Sequence, residues 1–572
     1  MTQTLTGYPS IDKPWTKYYR EKVTCEIDVE QSIYEVVFNS NKDNMSAKAL
    51  EYMGTTWSFE KLKKETDKAA AAFLKSGLNI GDVVLIGVSN CPEVVVILLA
   101  LNKIGVITKW FDVRASEKDI EVYANSSKCR YIVAFDLLLP KLQMILDATK
   151  MEKALIIYPT DSLAKHMQIL YSFKANHLPK DKRYIRFKEF VKQRDVNAGV
   201  VNVTLEKNTP SIMVQSSGTT GKPKSIVHSN YSVNSSTRSL AFSDLPIERG
   251  KTVLNALPPW IAYALGHAII YPLTLGACVR MCPTFEPEIV MENLGNFTMA
   301  FAAPFHYRYV RDHFNEMNKK QREGLRCIDA LGSGGDKLSS EENRELESIF
   351  GTTLVNGYGN NEAWGCLTVN PILHNKYGSV GIPIYDEIVI AYDNDTKEEL
   401  PYGEVGEICA LANTMFLHYE GDSEATNAVK KIHSDGKLWL HTGDLGFIDE
   451  EGFVTLCGRM RRVIVRSAFK ISAYTIEDKI CEHPAVKECV AVEVKDEKEE
   501  HVPMAYIVLK EDAGNIDNVK KSIVDKCCSE LKEYEIPKYF RIVDSLPYTQ
   551  NGKYDFRMLE TLGNEFVDNQ EE

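Results

Sequence analysis

Two kinds of pattern alternate between residues 58 and 135, and no other feature restricts the fold as much. From Ser58 the apolar residues Phe59, Leu62, Ala69, Ala70 and Phe73 recur near a 3.6-residue period, which predicts an amphipathic helix stopping at Gly77. Val83-Val84-Leu85-Ile86 then reads as a buried strand. Pro92 opens a second helix through Leu101, ending near Gly105, because proline fits a first helical turn. Tyr131-Ile132-Val133-Ala134 reads as a further strand, and the alternation resumes at Ser211-Ile212-Met213-Val214. Apolar strands separated by helices predict an α/β fold with a parallel sheet covered on both faces.

Other stretches differ in character. Residues 1–45 are polar and mixed, a lead-in expected to pack on the main body. The Lys- and Arg-rich stretch 165–202 has weak apolar periodicity and reads as a surface excursion. Many glycines and short apolar runs over 377–458 predict a small β-rich unit. Near the end, 490–494 and 505–509 read as strands, and Val519, Ile523, Cys527 and Leu531 mark an amphipathic helix. The Gly-Arg-Met-Arg-Arg run at 458–462 separates two apolar patterns. The expected division is therefore a lead-in at 1–45, a large domain at 46–458 and a C-terminal domain at 459–572.

Composition narrows the function classes. The formal net charge of −12 argues against a protein that works by neutralising nucleic-acid phosphates. The longest apolar run, Val94 to Leu101, falls far short of the ~20 residues of a membrane-spanning helix. The first residues lack the charged-then-apolar order of a signal peptide, so the expected location is the cytoplasm. Of the 13 cysteines, Cys278 and Cys282 lie close together and Cys527 and Cys528 are adjacent. No second pair and no histidine pair completes a zinc pattern, and the cysteines read as small buried hydrophobes in a reducing compartment.

The most informative segment for chemistry is Ser216-Ser217-Gly218-Thr219-Thr220-Gly221-Lys222-Pro223-Lys224. It follows an apolar strand. Its glycines let the backbone turn tightly and present N–H groups, its hydroxyls add donors, and its lysines add charge, a composition that cradles polyphosphate. It is not a Walker loop, since two residues rather than four separate its glycines and Pro223 follows Lys222. Three further segments carry compatible chemistry. In Asn356-Gly357-Tyr358-Gly359-Asn360-Asn361-Glu362, an aromatic ring suits a purine face, the glycines allow close approach, and Glu362 is a hard oxygen ligand suited to Mg²⁺ beside phosphates. Gly334 and Gly335 are a Gly-Gly pair, a common turn signal and by itself a weak one. Asp444, in Trp439-Leu-His-Thr-Gly-Asp444, offers a carboxylate to adjacent hydroxyls, and Arg459 follows.

In this order, spanning roughly residues 50 to 560, the motifs resemble those of the adenylate-forming enzymes, most closely the acyl- and aryl-CoA synthetases. The resemblance implies a large N-terminal domain of parallel-sheet subdomains with a small β-barrel-like subdomain, followed by a small mobile α+β C-terminal domain. It implies ATP, Mg²⁺ and coenzyme A as cofactors and a carboxylic acid as substrate. Thr219, Thr220 and the rest of the 216–224 loop would take the β- and γ-phosphates, Gly334 and Gly335 would lie beside the adenine, Asp444 and Arg459 would hold the ribose, and Glu362 would bind the metal. Asn361 stands where the family has threonine. Lys553, in Asn551-Gly552-Lys553, would bridge the substrate carboxylate and the α-phosphate. Ser467-Ala468-Phe469-Lys470-Ile471 matches the loop brought over the site for thioester formation, with Lys470 assigned there and Ala468 replacing the glycine that lines the pantetheine tunnel. Arg461 falls at the hinge about which the C-terminal domain turns.

Trp260, Tyr263, Gly266, His267, Ala303, Ser333, Ala363 and Trp364 are the candidate acyl-pocket residues. Ile261 follows Trp260 where amino-acid-activating members often carry aspartate, so the expected substrate is an apolar or aromatic acid. Two other readings stay open: loading of a carrier protein's phosphopantetheine thiol, and a non-catalytic nucleotide-binding paralogue.

Overall fold

The apolar run at 83–86 becomes the strand Val83–Gly87, buried at all five positions. It lies parallel to both its neighbours, Ile107–Trp110 and Tyr131–Phe135. In the computed structural model, which describes residues 5–571 apart from 24, 193–202, 204, 217–223, 296, 326–327, 337, 467–468, 497–498, 512 and 549–553, this strand sits within an eight-stranded sheet. Its spatial order is 418–419, 225–229, 210–215, 107–110, 83–87, 131–135, 153–157, 184–186. The strands from 210–215 to 184–186 run parallel, whereas 225–229 and 418–419 add antiparallel at one edge.

A second sheet has nine strands, in the order 382–383, 368–369, 353–358, 330–333, 299–302, 252–255, 278–281, 48–52, 55–58. Its six central strands are parallel. The helix Pro92–Lys103, opened by proline, is buried along its whole length. A helix apolar on every side belongs inside a core, and its residues 94–101 share one apolar cluster with Ile86 and Val133 of the first sheet and Leu50 and Val279 of the second. The helix Phe59–Lys75 starts at Ser58, whose side chain accepts the Lys61 N–H.

The lead-in contributes to this core. Its helix Ile33–Ser40 begins with a reciprocal Ser32–Glu35 capping box and sends Ile33, Val37 and Phe38 into the main cluster. The basic stretch after 165 is more than a surface excursion. Lys165–Ser172 buries nothing, but Tyr184–Arg186 is the edge strand of the eight-stranded sheet and Phe187–Lys192 buries Phe187 and Phe190. A short strand at a charged edge carries almost no periodic signal.

The glycine-rich region forms a six-stranded antiparallel sheet from 388–393, 398–399, 406–411, 430–432, 438–448 and 454–459. Beyond it, 463–466 and 469–472 make a hairpin, and 486–496, 500–509 and 539–542 make a three-stranded sheet. The helix Ile516–Glu530 buries Val519, Ile523 and Cys527, the face set by the spacing of those residues. Two apolar clusters drawn wholly from residues 464–567 give this part its own core. Among the described residues no helix is long and apolar enough to cross a membrane.

Candidate functional site

The phosphate-loop segment leaves one strand and returns on the next. Pro210–Gln215 and Ser225–Ser229 are antiparallel neighbours, and the base of the loop between them is closed twice. The Ser216 N–H donates to the Lys224 carbonyl at 2.9 Å, and the Lys224 N–H donates to Ser216 Oγ at 3.1 Å. Lys224 Nζ lies 4.9 Å from the centre of the Tyr419 ring and 3.4 Å from Asp422 Oδ2. Ser217, Gly218, Thr219, Thr220, Gly221 and Lys222 lie outside the described residues.

The segment 356–364 leaves the C-terminal end of the strand Thr353–Tyr358. Gly359 is required by close approach, since a Cβ there would stand 2.6 Å from the Cys366 backbone. Asn361 then joins three elements. Its Nδ2 donates to the Gln215 carbonyl at 3.1 Å, its Oδ1 accepts the Ala262 N–H at 3.2 Å, and its own carbonyl receives His228 Nε2–H at 2.7 Å. The amide at 361 therefore fixes the end of the strand leading into the phosphate loop. Glu362 is half-buried, and its Oε1 accepts the Tyr419 hydroxyl at 2.7 Å. Burial pushes its carboxyl above the usual range, and the Tyr419 hydrogen bond opposes that shift. Tyr419 is itself placed by the two-residue strand His418–Tyr419, paired with Val227 and Ile226 just after the loop.

Gly334 and Gly335 follow the strand Ala330–Ser333, in which Ser333 is the register partner of Asn356. A Cβ on Gly334 would lie 3.3 Å from the Gly357 carbonyl oxygen, and Gly335 has φ +91°. The 334–335 turn and the 356–359 segment thus lie side by side. Tyr358, Asp444 and Arg459 form one chain of contacts. The Tyr358 hydroxyl donates to Asp444 Oδ2 at 2.7 Å, and Arg459 Nε reaches Asp444 Oδ1 at 2.9 Å. Asp444 and Arg459 are register partners on the strands Leu438–Ile448 and Val454–Arg459, so the sheet itself holds the pair. Asp444 is buried while Arg459 is exposed, leaving the carboxylate oriented at the edge of the sheet.

Three of the candidate acyl-pocket residues, Tyr263, Gly266 and His267, lie on an unusual helix. Tyr263–Ile270 is π-helical, a rare geometry that is frequent at functional sites. Trp364, at φ +49°, is wholly buried against it: a Cβ on Gly266 would stand 2.5 Å from the Trp364 Nε1. That indole N–H has no hydrogen-bond partner among the described residues. Trp364 also meets His228 edge-on, with ring centres 4.8 Å apart. His267 is bonded to the Ser236 hydroxyl, and burial lowers both His228 and His267 to about 3. Trp260 is buried edge-on against Phe285, and Arg114 lies over both rings. Ser333 Oγ is buried without a partner among the described residues, and Ala363 is buried beside Trp364. Ala303 caps the helix Pro304–Asp312.

The structure thus links Ser216, Lys224, Asn361 and Glu362 through Gln215 and Tyr419, and Tyr358, Asp444 and Arg459 through direct bonds. Lys470 lies on the hairpin strand Phe469–Ser472, opposite Val465, and Arg461 lies in the single turn Met460–Arg462 between two strands. Ala468 and Lys553 lie outside the described residues. The segment that carries Lys553 is flanked by a bridge between Tyr548 and Tyr554, whose hydroxyls both reach Glu488 Oε2. Tyr419, Gln215 and His228 escaped the sequence reading. None belongs to a local motif, and only the pairing of 225–229 with 418–419 brings Tyr419 to Glu362.

The family model described as AMP-binding enzyme matches residues 37–420, and that described as AMP-binding enzyme C-terminal domain matches residues 475–553. A long-chain-fatty-acid–CoA ligase of Bacillus subtilis (strain 168) is 26% identical over 561 residues, covering 95% of this chain and 96% of its own. The crystal structure of the anthranilate CoA ligase AuaEII with anthranoyl-AMP matches with a TM-score of 0.82 at 18% identity, over 95% of this chain and 99% of that one. ATP-bound MatB from Rhodopseudomonas palustris matches with a TM-score of 0.81 at 19% identity, over 93% of this chain and 99% of that one. At these identities the structural likeness establishes the fold.

Proposed function

The chain belongs to the AMP-binding enzyme family, and on that premise we propose that it joins a carboxylic acid to coenzyme A in two steps. First the carboxylate oxygen attacks the α-phosphorus of ATP, the bond to the pyrophosphate oxygen breaks, and an acyl adenylate forms. Then the thiol of CoA attacks the acyl carbonyl, AMP leaves with the bonding electrons, and an acyl-CoA results. The observation that carries this reading is the convergence of three distant segments: Glu362 held by Tyr419, Asn361 tied to the start of the phosphate loop, and Asp444 held between Tyr358 and Arg459.

The roles follow from the donors. The N–H groups, hydroxyls and lysines of 216–224 bind the β- and γ-phosphates, and Gly334, Gly335 and Tyr358 flank the adenine. Asp444 accepts from the ribose hydroxyls while Arg459 and Tyr358 keep its carboxylate oriented. Glu362 suits Mg²⁺, which takes one or two carboxylates beside substrate phosphates; one of its oxygens is already anchored by Tyr419. Bound there, the ion would neutralise charge on the phosphates as pyrophosphate departs. Lys553 contacts the carboxylate and the α-phosphate in the first step. Lys470 and Ala468 come over the site in the second, by rotation of the chain beyond Arg461, residues 462–572, about that residue, a hinge-type switch that leaves Arg459 on its strand beside Asp444.

Coenzyme A is favoured over a carrier protein by the names of the relatives, which are CoA ligases. An apolar or aromatic acid is favoured by Ile261 after Trp260 and by the apolar surroundings of Trp364 and Gly266. The cytoplasm, where ATP and CoA are available, is the proposed location. Lys553→Ala tests the two-step scheme. The expected variant releases pyrophosphate from ATP and acid at a small fraction of the parent rate, yet converts supplied acyl adenylate and CoA to thioester at close to the parent rate. Unchanged pyrophosphate release would remove Lys553 from the first step.

A further inference from the structure

The outer face of the six-stranded sheet carries a cluster that the adenylation chemistry does not use. Alternation along the strands puts Glu407 and Cys409 on one face of Gly406–Leu411, and Trp439 and His441 on the same face of Leu438–Ile448. Cys409 and His441 are direct register partners. The turn after Lys430–Ile432 folds His433 over this face, where its ring stacks between Tyr392, with ring centres 4.1 Å apart, and Trp439, 5.0 Å apart. Cys409 Sγ and one ring nitrogen each of His433 and His441 all lie within 4.8 Å of one another. Sequence spacing gave no sign of this, because the three residues lie on different strands and turns and form no paired motif.

The groups behind the cluster are arranged as a metal site needs. His441 Nδ1 stands 2.7 Å from Glu407 Oε2, a carboxylate that can only accept, so Nδ1 carries a proton and Nε2 is left to meet His433 in a hydrogen bond that a bound metal would replace. That Nε2 faces His433 Nε2 at 2.9 Å. Glu407 is fixed in turn by the Gly443 N–H at 3.0 Å on Oε1 and by Asn394 Nδ2 at 2.7 Å on Oε2. A carboxylate orienting a histidine whose other nitrogen points at a thiol and a second imidazole is the usual support of a ligating histidine. We propose that Cys409, His433 and His441 bind a divalent transition metal ion of the Zn²⁺ class, with Glu407 as the orienting carboxylate and a fourth position open to water.

Size and chemistry agree with that ion. Tetrahedral Zn²⁺ with bonds of about 2.0–2.3 Å sets its donor atoms about 3.3–3.6 Å apart, so the two imidazoles need to part by about 0.4 Å and Cys409 Sγ, within 4.8 Å of them, to close by up to about 1.2 Å. One thiolate and two imidazoles suit Zn²⁺ far better than Mg²⁺, which prefers oxygen. Binding releases the Cys409 proton to solvent and ties the 433–437 turn to the strand that carries Asp444 three residues after His441. The site is thus distinct from the one assigned to ATP and does not depend on that assignment.

The test uses the full-length protein, stripped with a chelator and titrated with Co²⁺, whose thiolate complexes absorb in the near ultraviolet. The expected result is one tightly bound Co²⁺ per chain with a thiolate charge-transfer band, displaced by one equivalent of Zn²⁺. Cys409→Ser should abolish the band, and Glu407→Gln should weaken binding by about 10- to 100-fold while keeping it. His433→Gln, on a half-exposed turn, guards against a folding failure of the buried variants and should lower Co²⁺ affinity at least tenfold. A band that persists in Cys409→Ser, affinity unchanged in His433→Gln, or no thiolate band in the parent would overturn the proposal.

Discussion

Tyr419→Phe isolates one bond of the proposed site. The ring of Tyr419 is buried against Phe416 and under Lys224 Nζ, and phenylalanine keeps both contacts. The hydroxyl goes, and with it the 2.7 Å bond to Glu362 Oε1. A hydrogen bond to a charged group contributes about 1.5–3 kcal/mol, so losing it should cost roughly 10- to 100-fold in the step that needs Glu362 ionised and oriented. The pH response has a definite sign. Burial already raises the Glu362 carboxyl, and the Tyr419 bond is what opposes it. Without that bond Glu362 protonates at higher pH, so the acid limb of the rate profile moves upward and the deficit grows as pH falls. The assay is pyrophosphate release with ATP and acid over a range of Mg²⁺ concentrations and pH values. The Mg²⁺ requirement should rise in parallel with the loss of rate, while the urea midpoint moves little. A variant with the parent's Mg²⁺ dependence and pH profile would refute the idea that Tyr419 positions a metal-binding Glu362.

Three further outcomes follow from the same geometry. Asp444→Asn weakens the ion pair with Arg459 and the bond from Tyr358, and should lower kcat/KM for ATP by about 10- to 100-fold, mostly through KM, in steady-state kinetics. Gly359→Ala drives a methyl to 2.6 Å from the Cys366 backbone, and should cost about 1–3 kcal/mol in chemical denaturation and abolish adenylation with it. His267 is held neutral by burial, at about 3 against an ordinary 6.5, so the unfolded chain takes up a proton that the folded chain refuses between those values. Stability should therefore fall as pH drops below about 6.5, and His267→Gln should flatten that slope by up to about 1.4 kcal/mol per pH unit in urea titrations at pH 5 to 7.

The parts of the fold legible in the sequence are those where burial is uniform. Val83–Gly87 and Pro92–Lys103 announce themselves because all their side chains are buried, and the turn at 216–224 because loop chemistry is local. The helix Ile516–Glu530 is equally plain from Val519, Ile523 and Cys527. What escaped depends on long-range pairing. Tyr184–Arg186 hides in a basic stretch since only one of its residues is fully buried. Tyr419 reaches Glu362 through a two-residue strand too short to have a period. Cys409 and His441 meet only because two antiparallel strands bring them into register. The π-helical segment at 263–270 lies against Trp364, and no spacing rule foretells it.

The function proposed for this protein turns on its joining a carboxylic acid to CoA through an adenylate. Purified protein with ATP, Mg²⁺ and a panel of apolar and aromatic acids, with and without CoA, tests it by mass analysis of the products. The expected products are pyrophosphate and acyl adenylate when CoA is withheld, and acyl-CoA with AMP in equal amounts when it is supplied. Acyl adenylate that never passes to CoA would contradict the second step, and pyrophosphate release independent of every acid, with no acyl product, would contradict the whole.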